Sequence, residues 1–245
     1  MITGIVVALP EEISTLTAKK MTKGSCYFVT DTLLVAYSGA GSENAQGAAK
    51  QLLDKGATQL ISWGCAAALS DQLKPGDLTL AASLVRADAQ GEIESGVSSA
   101  WHQHCKRILT DVMAVHTGAL LESKRIVSAS SEKKRLFSET GAIALDMESI
   151  AVASMAKQKN IPFIAIRVIA DPVSMDLPQA ISAALNAQGD VVLSKLLGFL
   201  VLHPWELPGL IKLGLHFNAA TKTLKTLARI LDKITDVDQA NAAAF

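Results

Sequence analysis

The sequence predicts an α/β fold: a single three-layer α/β/α domain with a central mixed sheet and extra C-terminal helices. Three observations predict it. Apolar runs of strand length alternate with helix-length segments as far as Asp171. Apolar residues make up 49% of the 245 and aromatics only 4%, a composition suited to alanine-lined helices lying close on a sheet. Beyond Asp171 the strand-like runs stop and the pattern turns wholly helical. A chain of this length can bury a full core as one domain. Residues 1–185 are expected to form the main body, with 186–245 a helical extension packed on it.

Each element has its own justification. Ile2 to Leu9 reads as a buried strand, and Pro10 biases Leu9 towards an extended conformation, so Glu11 and Glu12 fall in or beside the first turn of a helix. Cys26–Thr30 and Leu33–Tyr37 read as a hairpin turning near Asp31. Gly39-Ala40-Gly41 leads into a helix from about Glu43 to Lys55, which Gly56 stops. Leu60 to Trp63 is expected to be a short strand ending at the Gly64-Cys65-Ala66-Ala67-Ala68 loop. Pro75-Gly76-Asp77 is a turn before the strand Leu78 to Val85. A helix over Ser99 to Met113, strands over Val115 to Leu121 and Arg125 to Ser128, and a short helix over Ser131 to Phe137 follow. The apolar run Ala142 to Leu145 precedes a helix over Met147 to Lys157, and the strand Pro162 to Ile169 runs out towards Asp171. Leu177 to Phe199, Leu207 to Phe217 and Ala219 to Ile234 then read as three helices.

Composition narrows the function. Lys+Arg and Asp+Glu balance at 23 each, which gives no electrostatic case for nucleic acid. The N-terminus enters a strand pattern directly, so no secretory signal is read, and three scattered cysteines point to reduced thiols in the cytoplasm. The apolar run Leu196 to Leu202 falls far short of the ~20 residues that span a bilayer, so an integral membrane protein is not expected.

The chemistry-bearing residues are acids at strand ends. Glu12 follows the first strand, Glu148 begins a helix, and Asp171 ends a strand. Ligands of open α/β sheets bind at the carboxyl ends of strands, where acids suit a hydroxyl-rich substrate and proton transfer to it. Taken singly, each has a plainer reading: Glu11 and Glu12 as acids at a helix start, Glu148 likewise, and Asp171 as a turn residue before Pro172. Gly39-Ala40-Gly41 lacks the third glycine of a dinucleotide fingerprint, Asn44 standing there, so a tight ligand-facing turn is the better reading. His102, His104 and Cys105 lack further ligands at zinc spacing. Cys65 lacks a local activating base, which favours loop lining over covalent catalysis. No metal and no cofactor are expected.

Several segments carry a family resemblance: Gly4–Ile13, Ser38-Gly-Ala-Gly41, Trp63–Leu69, Lys74-Pro-Gly-Asp77, Leu145-Asp-Met-Glu148 and Ile166–Asp171. In order and spacing the chain resembles the purine nucleoside phosphorylase and methylthioadenosine/adenosylhomocysteine nucleosidase superfamily over residues 1 to about 185. Within it, the Ser131-Glu-Lys-Lys segment, the Thr140-to-Ser149 run and Leu177-Pro-Gln-Ala180 look most like the hopanoid-associated nucleosidases. That subgroup is linked to removing adenine from adenosylhopane. The resemblance implies cleavage of an adenine nucleoside's N-glycosidic bond, with Glu12 activating the water and Asp171 protonating the purine at N7. It implies that Glu148, with Met147 beneath the sugar, holds the ribose hydroxyls, and that Gly64, Cys65 and Ala66 line the pocket. Departures stand beside it. Ala170 replaces the usual serine before the acid, Ala67-Ala68 replaces a glycine pair, and Cys65 replaces a serine or threonine. The Ser128-to-Asp146 stretch is shorter than in the nucleosidases.

The chemistry requires such residues. A purine leaving from an oxocarbenium-like sugar must be protonated, and the water needs a base on the opposite face, as in inverting glycosidases. Asp171 is therefore expected to be buried or bonded through its protonated form. The first loop and the Leu60-to-Cys65 segment carry no arginine for a phosphate dianion, which favours hydrolysis over the phosphorolytic alternative. The apolar 191–217 segment reads as a dimer interface or lid, or as a channel or peripheral membrane surface for a lipid-linked nucleoside. The expected protein is a cytoplasmic homodimer, with 191–217 offering an optional peripheral contact at the inner membrane face. Its rival is a non-catalytic nucleoside- or lipid-binding protein.

Overall fold

A computed structural model describes residues 1–86, 93–94, 96–184, 186 and 192–236. The strands are β1 (Thr3–Val7), β2 (Cys26–Thr30), β3 (Leu33–Tyr37), β4 (Gln59–Ala68), β5 (Leu78–Arg86), β6 (Ile93–Glu94), β7 (Val115–Glu122), β8 (Ala144–Asp146) and β9 (Phe163–Asp171). The helices are α1 (Pro10–Leu16), α2 (Ser42–Asp54), α3 (Ser99–Thr110), α4 (Ser130–Thr140), α5 (Ser149–Gln158), α6 (Gln179–Ala184), α7 (Leu193–Leu202), α8 (Leu207–Ala228) and α9 (Leu231–Thr235), with a 3-10 turn at Pro204–Glu206.

One mixed sheet runs β2-β3-β1-β4-β8-β7-β5-β6, and β9 pairs with both β4 and β5. The pairings β4–β9, β9–β5, β5–β7, β7–β8 and β8–β4 therefore form a closed circuit, so half of the sheet curls on itself. Helices cover both faces, as the alternation along β1 illustrates. Val6 packs with Ala45, Ala49 and Leu52 of α2 and Val152 and Ala156 of α5. Ile5 and Val7 point the other way, into a core shared with Trp101 and Leu109 of α3 and Leu224 and Leu227 of α8. Small side chains on α2 and α5 let both helices approach the sheet closely, as the composition implied.

Three segments differ from expectation. The loop expected at Gly64–Ala68 is the second half of β4, because Ala67 and Ala68 pair with Leu145 and Ala144 of β8. Arg125–Ser128 is not a strand. Both sides of β7 are already taken by β5 and β8, and Ser128 instead accepts the Leu177 N–H at 2.9 Å while Val127 packs on Leu121 and Leu136. The C-terminal helices also divide differently. Leu207–Ala228 is one helix, while the first expected helix is represented by α6 and α7, with residues 185 and 187–191 outside the described ones. No single helix among the described residues is long and apolar enough to cross a membrane; α7 and α8 are bent by 110° at the break between them.

Candidate active site

Glu12 owes its position to the start of α1. Pro10 occupies the first turn and Leu9 is extended, at φ −124° and ψ 147°, so the helix has no side chain at its cap to accept an N–H. The Glu12 carboxylate instead turns back past the helix start, accepting the N–H groups of Ala8 and Leu9 at 3.0 Å each. Its other oxygen accepts the Cys65 N–H at 2.8 Å, from the middle of β4. Burial pushes its carboxyl above the ordinary range, while the Arg167 charge and the three N–H donors pull it down.

Glu148 caps α5 where β8 ends. Its Oε1 accepts the Gly41 N–H at 2.9 Å, across 107 residues of sequence. Gly41 has φ +97°, in the left-handed region that favours glycine, and this is how the turn before α2 presents its amide. Burial drives Glu148 up to about 7; Arg167 opposes the rise and Asp146 adds to it. Behind these acids lies an anchor that sequence reasoning missed. Arg167, on β9 and 2% exposed, donates from Nε to Asp146 at 2.7 Å and from Nη2 to Ser62 at 2.6 Å, and its Nη2 lies 3.6 Å from Glu148 Oε2. Asp146 also accepts a short hydrogen bond from Ser149. Burial works against the Arg167 charge, but the surrounding carboxylates outweigh it. The sequence signal was an arginine inside the otherwise apolar Ile164–Ile169 run, since a buried charge demands a partner.

Asp171 is the last residue of β9, and its partner was not anticipated. Lys133, from α4 and fully buried, places Nζ 2.7 Å from Asp171 Oδ1. Asp171 was expected to be buried or bonded as the acid; it is 7% exposed and accepts from an ammonium. Burial pushes it up to about 6, against the charge and hydrogen bond of Lys133. Lys133 sits among Glu132, Lys134 and Arg135 and so resembles a solvated face. Only its spacing from buried Leu136, three residues on, marks it as inward-facing.

Glu12, Cys65, Ala66, Met147, Glu148 and Asp171 all border one cavity of about 630 Å³. Gly64 stands behind that wall. A Cβ there would lie 2.6 Å from Glu12 Cδ and 2.7 Å from Arg167 Nη1, so glycine is what lets β4 pass beneath both groups. Cys65 is pushed well up by burial and by neighbouring Glu12, the wrong direction for a thiolate nucleophile. Beside the acids, Leu177, Ile181, Leu210, Leu213 and Phe217 from α6, its approach and α8 give the cavity an apolar wall. His104 and Cys105 face away on α3, towards the carbonyls of Lys233 and Ile234.

The sequence profile of the phosphorylase superfamily matches residues 3–193. No curated protein matches the chain. Among solved structures, a mutant Helicobacter pylori MTAN with 5'-methylthioadenosine in its active site is similar at 20% identity and a TM-score of 0.70, covering 96% of this chain and 98% of that one. Futalosine hydrolase of Helicobacter pylori is similar at 20% identity and a TM-score of 0.67, covering 96% and 97%. The 5'-methylthioadenosine/S-adenosylhomocysteine nucleosidase of Neisseria meningitidis, in complex with methylthio-immucillin-A, is similar at 18% identity and a TM-score of 0.67, covering 94% and 97%.

Proposed function

The chain belongs to the phosphorylase superfamily, and from that premise we propose that it hydrolyses the N-glycosidic bond of an adenine nucleoside, releasing adenine. The observation that carries this reading is the meeting of Glu12, Glu148 and Asp171 around one cavity of about 630 Å³. Glu12 takes a proton from the attacking water. Glu148 accepts hydrogen bonds from the ribose hydroxyls, with Met147 against the sugar, and its oxygens can orient the sugar in this way in either protonation state. Asp171 gives its proton to the purine nitrogen N7. The two ends of the reaction thus fall to two carboxyl groups in different surroundings, one held by three N–H donors and one by an ammonium.

Water rather than phosphate is the nucleophile on this reading. Among the described residues, every charged one that borders the cavity is an acid: Glu11, Glu12, Asp146, Glu148 and Asp171. A phosphate dianion beside Glu12 would meet like charge with no bordering cation to receive it. The solved relatives named above as nucleosidases and as a hydrolase agree with this choice.

The finer reading concerns the 5′ substituent. The apolar wall of α6 and α8 suits a hydrocarbon group, and the other side of α8 continues outward as the exposed residues Leu207, Ile211 and Leu215, next to Val201, Leu202 and Trp205. We read residues 1–185 as the catalytic body and 186–245 as the extension that supplies the α8 part of this wall. The subgroup resemblance then points to adenosylhopane as substrate, taken from the cytoplasmic face of a membrane on which the α7–α8 ridge rests.

Incubation with adenosine, with and without phosphate, tests the core reading. Free adenine with free ribose in both reactions is expected; ribose 1-phosphate as the main product, or no adenine at all, overturns it. Flotation with anionic vesicles tests the ridge. Binding that Val201→Glu with Trp205→Ala abolishes is expected, while a dimer that the same changes dissociate assigns the ridge to a second copy.

A further inference from the structure

Asp171 is held by an unusual partner for an acid that must give up a proton. Lys133 is fully buried, and its three ammonium protons have three acceptors: Asp171 Oδ1 at 2.7 Å, the Met175 carbonyl at 2.8 Å and the Pro172 carbonyl at 3.2 Å. The surrounding chain is tied down independently. Ser130, at the start of α4, donates its N–H to Asp176 at 2.6 Å, and Leu177 donates its N–H to Ser128 at 2.9 Å. The end of the 172–177 segment is thereby clasped to the start of α4 and the residues just before it, and with three acceptors around it the ammonium is fixed before any substrate arrives. It engages only Oδ1 of an acid that borders the cavity.

We propose that Lys133 is the positioning residue that makes Asp171 an effective acid, by receiving the negative charge that Asp171 acquires when its proton passes to the departing purine. The inference rests on the nucleosidase reading and deepens it. In the step, the Oδ2–H bond breaks and an N7–H bond forms, while the electron pair of the glycosidic bond moves into the purine ring. Water adds to the sugar carbon and its proton goes to Glu12, from which it returns to Asp171 through solvent. The carboxylate left at Asp171 faces an ammonium already in place, so its charge needs no reorganisation to be met.

Burial and ammonium act in opposite senses on Asp171. Burial alone would hold the proton too firmly to give it up; Lys133 brings the group back to about 6. The remaining titratable neighbours oppose Lys133 or are neutral. Asp176, beyond β9, pushes Asp171 upward. Glu11 and Glu12 from α1, Cys65 from β4, and Asp146 and Glu148 from the β8–α5 junction border the same cavity, whereas α6 and α8 present no charged side chain to it. Lys133 is thus the one cation on the acid's side among the described residues bordering or touching it.

The test compares adenosine with 4-nitrophenyl riboside, whose leaving group departs without protonation. The ratio of the two turnover rates cancels any loss of folded enzyme. In Lys133→Met, and in the milder Lys133→Gln, which retains a donor for the carbonyls, the adenosine/nitrophenyl ratio is expected to fall by about 10²-fold, the lower range for a positioned acid. The alkaline limb of the adenosine kcat profile is expected to move to higher pH, because the proton leaves Asp171 less readily. A ratio and a limb that stay at wild-type values in an active variant overturn the role of Lys133 and leave the nucleosidase reading intact. Wild-type enzyme that releases no adenine overturns both.

Discussion

Glu12 Oε1 accepts the Cys65 N–H at 2.8 Å, joining the first turn of α1 to the middle of β4 across 53 residues. With Ala8 and Leu9 on the other oxygen, the backbone hydrogen-bond partners of the carboxylate among the described residues are all donors. Glu12→Gln turns one of those oxygens into an NH₂ facing N–H groups. Adenine release from adenosine is expected to fall by about 10²-fold or more, and chemical denaturation should show a less stable fold as well, since a donor now opposes a donor. Wild-type turnover in this variant would remove Glu12 from the chemistry.

Gly64 tests how tightly the site is built. Gly64→Ala places a methyl 2.6 Å from Glu12 Cδ and 2.7 Å from Arg167 Nη1, two groups already held by hydrogen bonds. Neither is the free end of a flexible chain. A loss of about 1–3 kcal/mol in unfolding free energy is expected, together with reduced adenosine turnover as Glu12 is displaced.

The Arg167–Asp146 pair should show the asymmetry of buried charges. Removing one partner, as in Arg167→Met, leaves Asp146 and Glu148 facing each other without a cation and is expected to cost about 3–5 kcal/mol. Arg167→Met combined with Asp146→Asn should recover part of that loss in denaturant titrations. Equal costs for the single and double variants would mean that the pair does not act as a unit.

The pH dependence follows from directions already fixed. On the proposed reading Asp171 acts with its proton on, and its value of about 6 puts the expected alkaline loss of kcat/KM near that pH. The acidic loss comes from protonating Glu12. Asp171→Asn should remove the alkaline limb along with most of the activity. Stability has the opposite sense to that of a usual salt-bridged acid. Glu148 is raised to about 7, so the folded state binds a proton that the unfolded state has already released. Its contribution is present at low pH and is lost as pH rises from its ordinary range through about 7. Melting temperatures measured across that window should decline more in wild type than in Glu148→Gln.

Much of this was legible in the sequence, and the parts that were not have physical reasons. The hairpin Cys26–Thr30/Leu33–Tyr37 appears with the expected limits, because alternation and an Asp-Thr turn are local signals. The three acids stood out because each follows a strand or begins a helix. The far half of β4 did not, since Gly-Cys-Ala-Ala-Ala reads as a loop until β8 supplies its partner. Arg125–Ser128 failed in the opposite sense: it has strand-like residues but no free strand edge beside it. Lys133 and Arg167 were hidden because a charged residue declares its burial only through its partner, and both partners lie far away in sequence.

β9 has a hydrogen-bonded neighbour along each edge, β4 on one side and β5 on the other. Arg167 and Asp171 both ride on it. Ile166 to Val168, paired on both edges, have no inexpensive way to fray, so their amide hydrogens should be among the last in the molecule to exchange with deuterated water. The Arg167 anchor behind the cavity's acids then survives as long as any native structure does, and heating should extinguish activity and fold in a single transition rather than in succession.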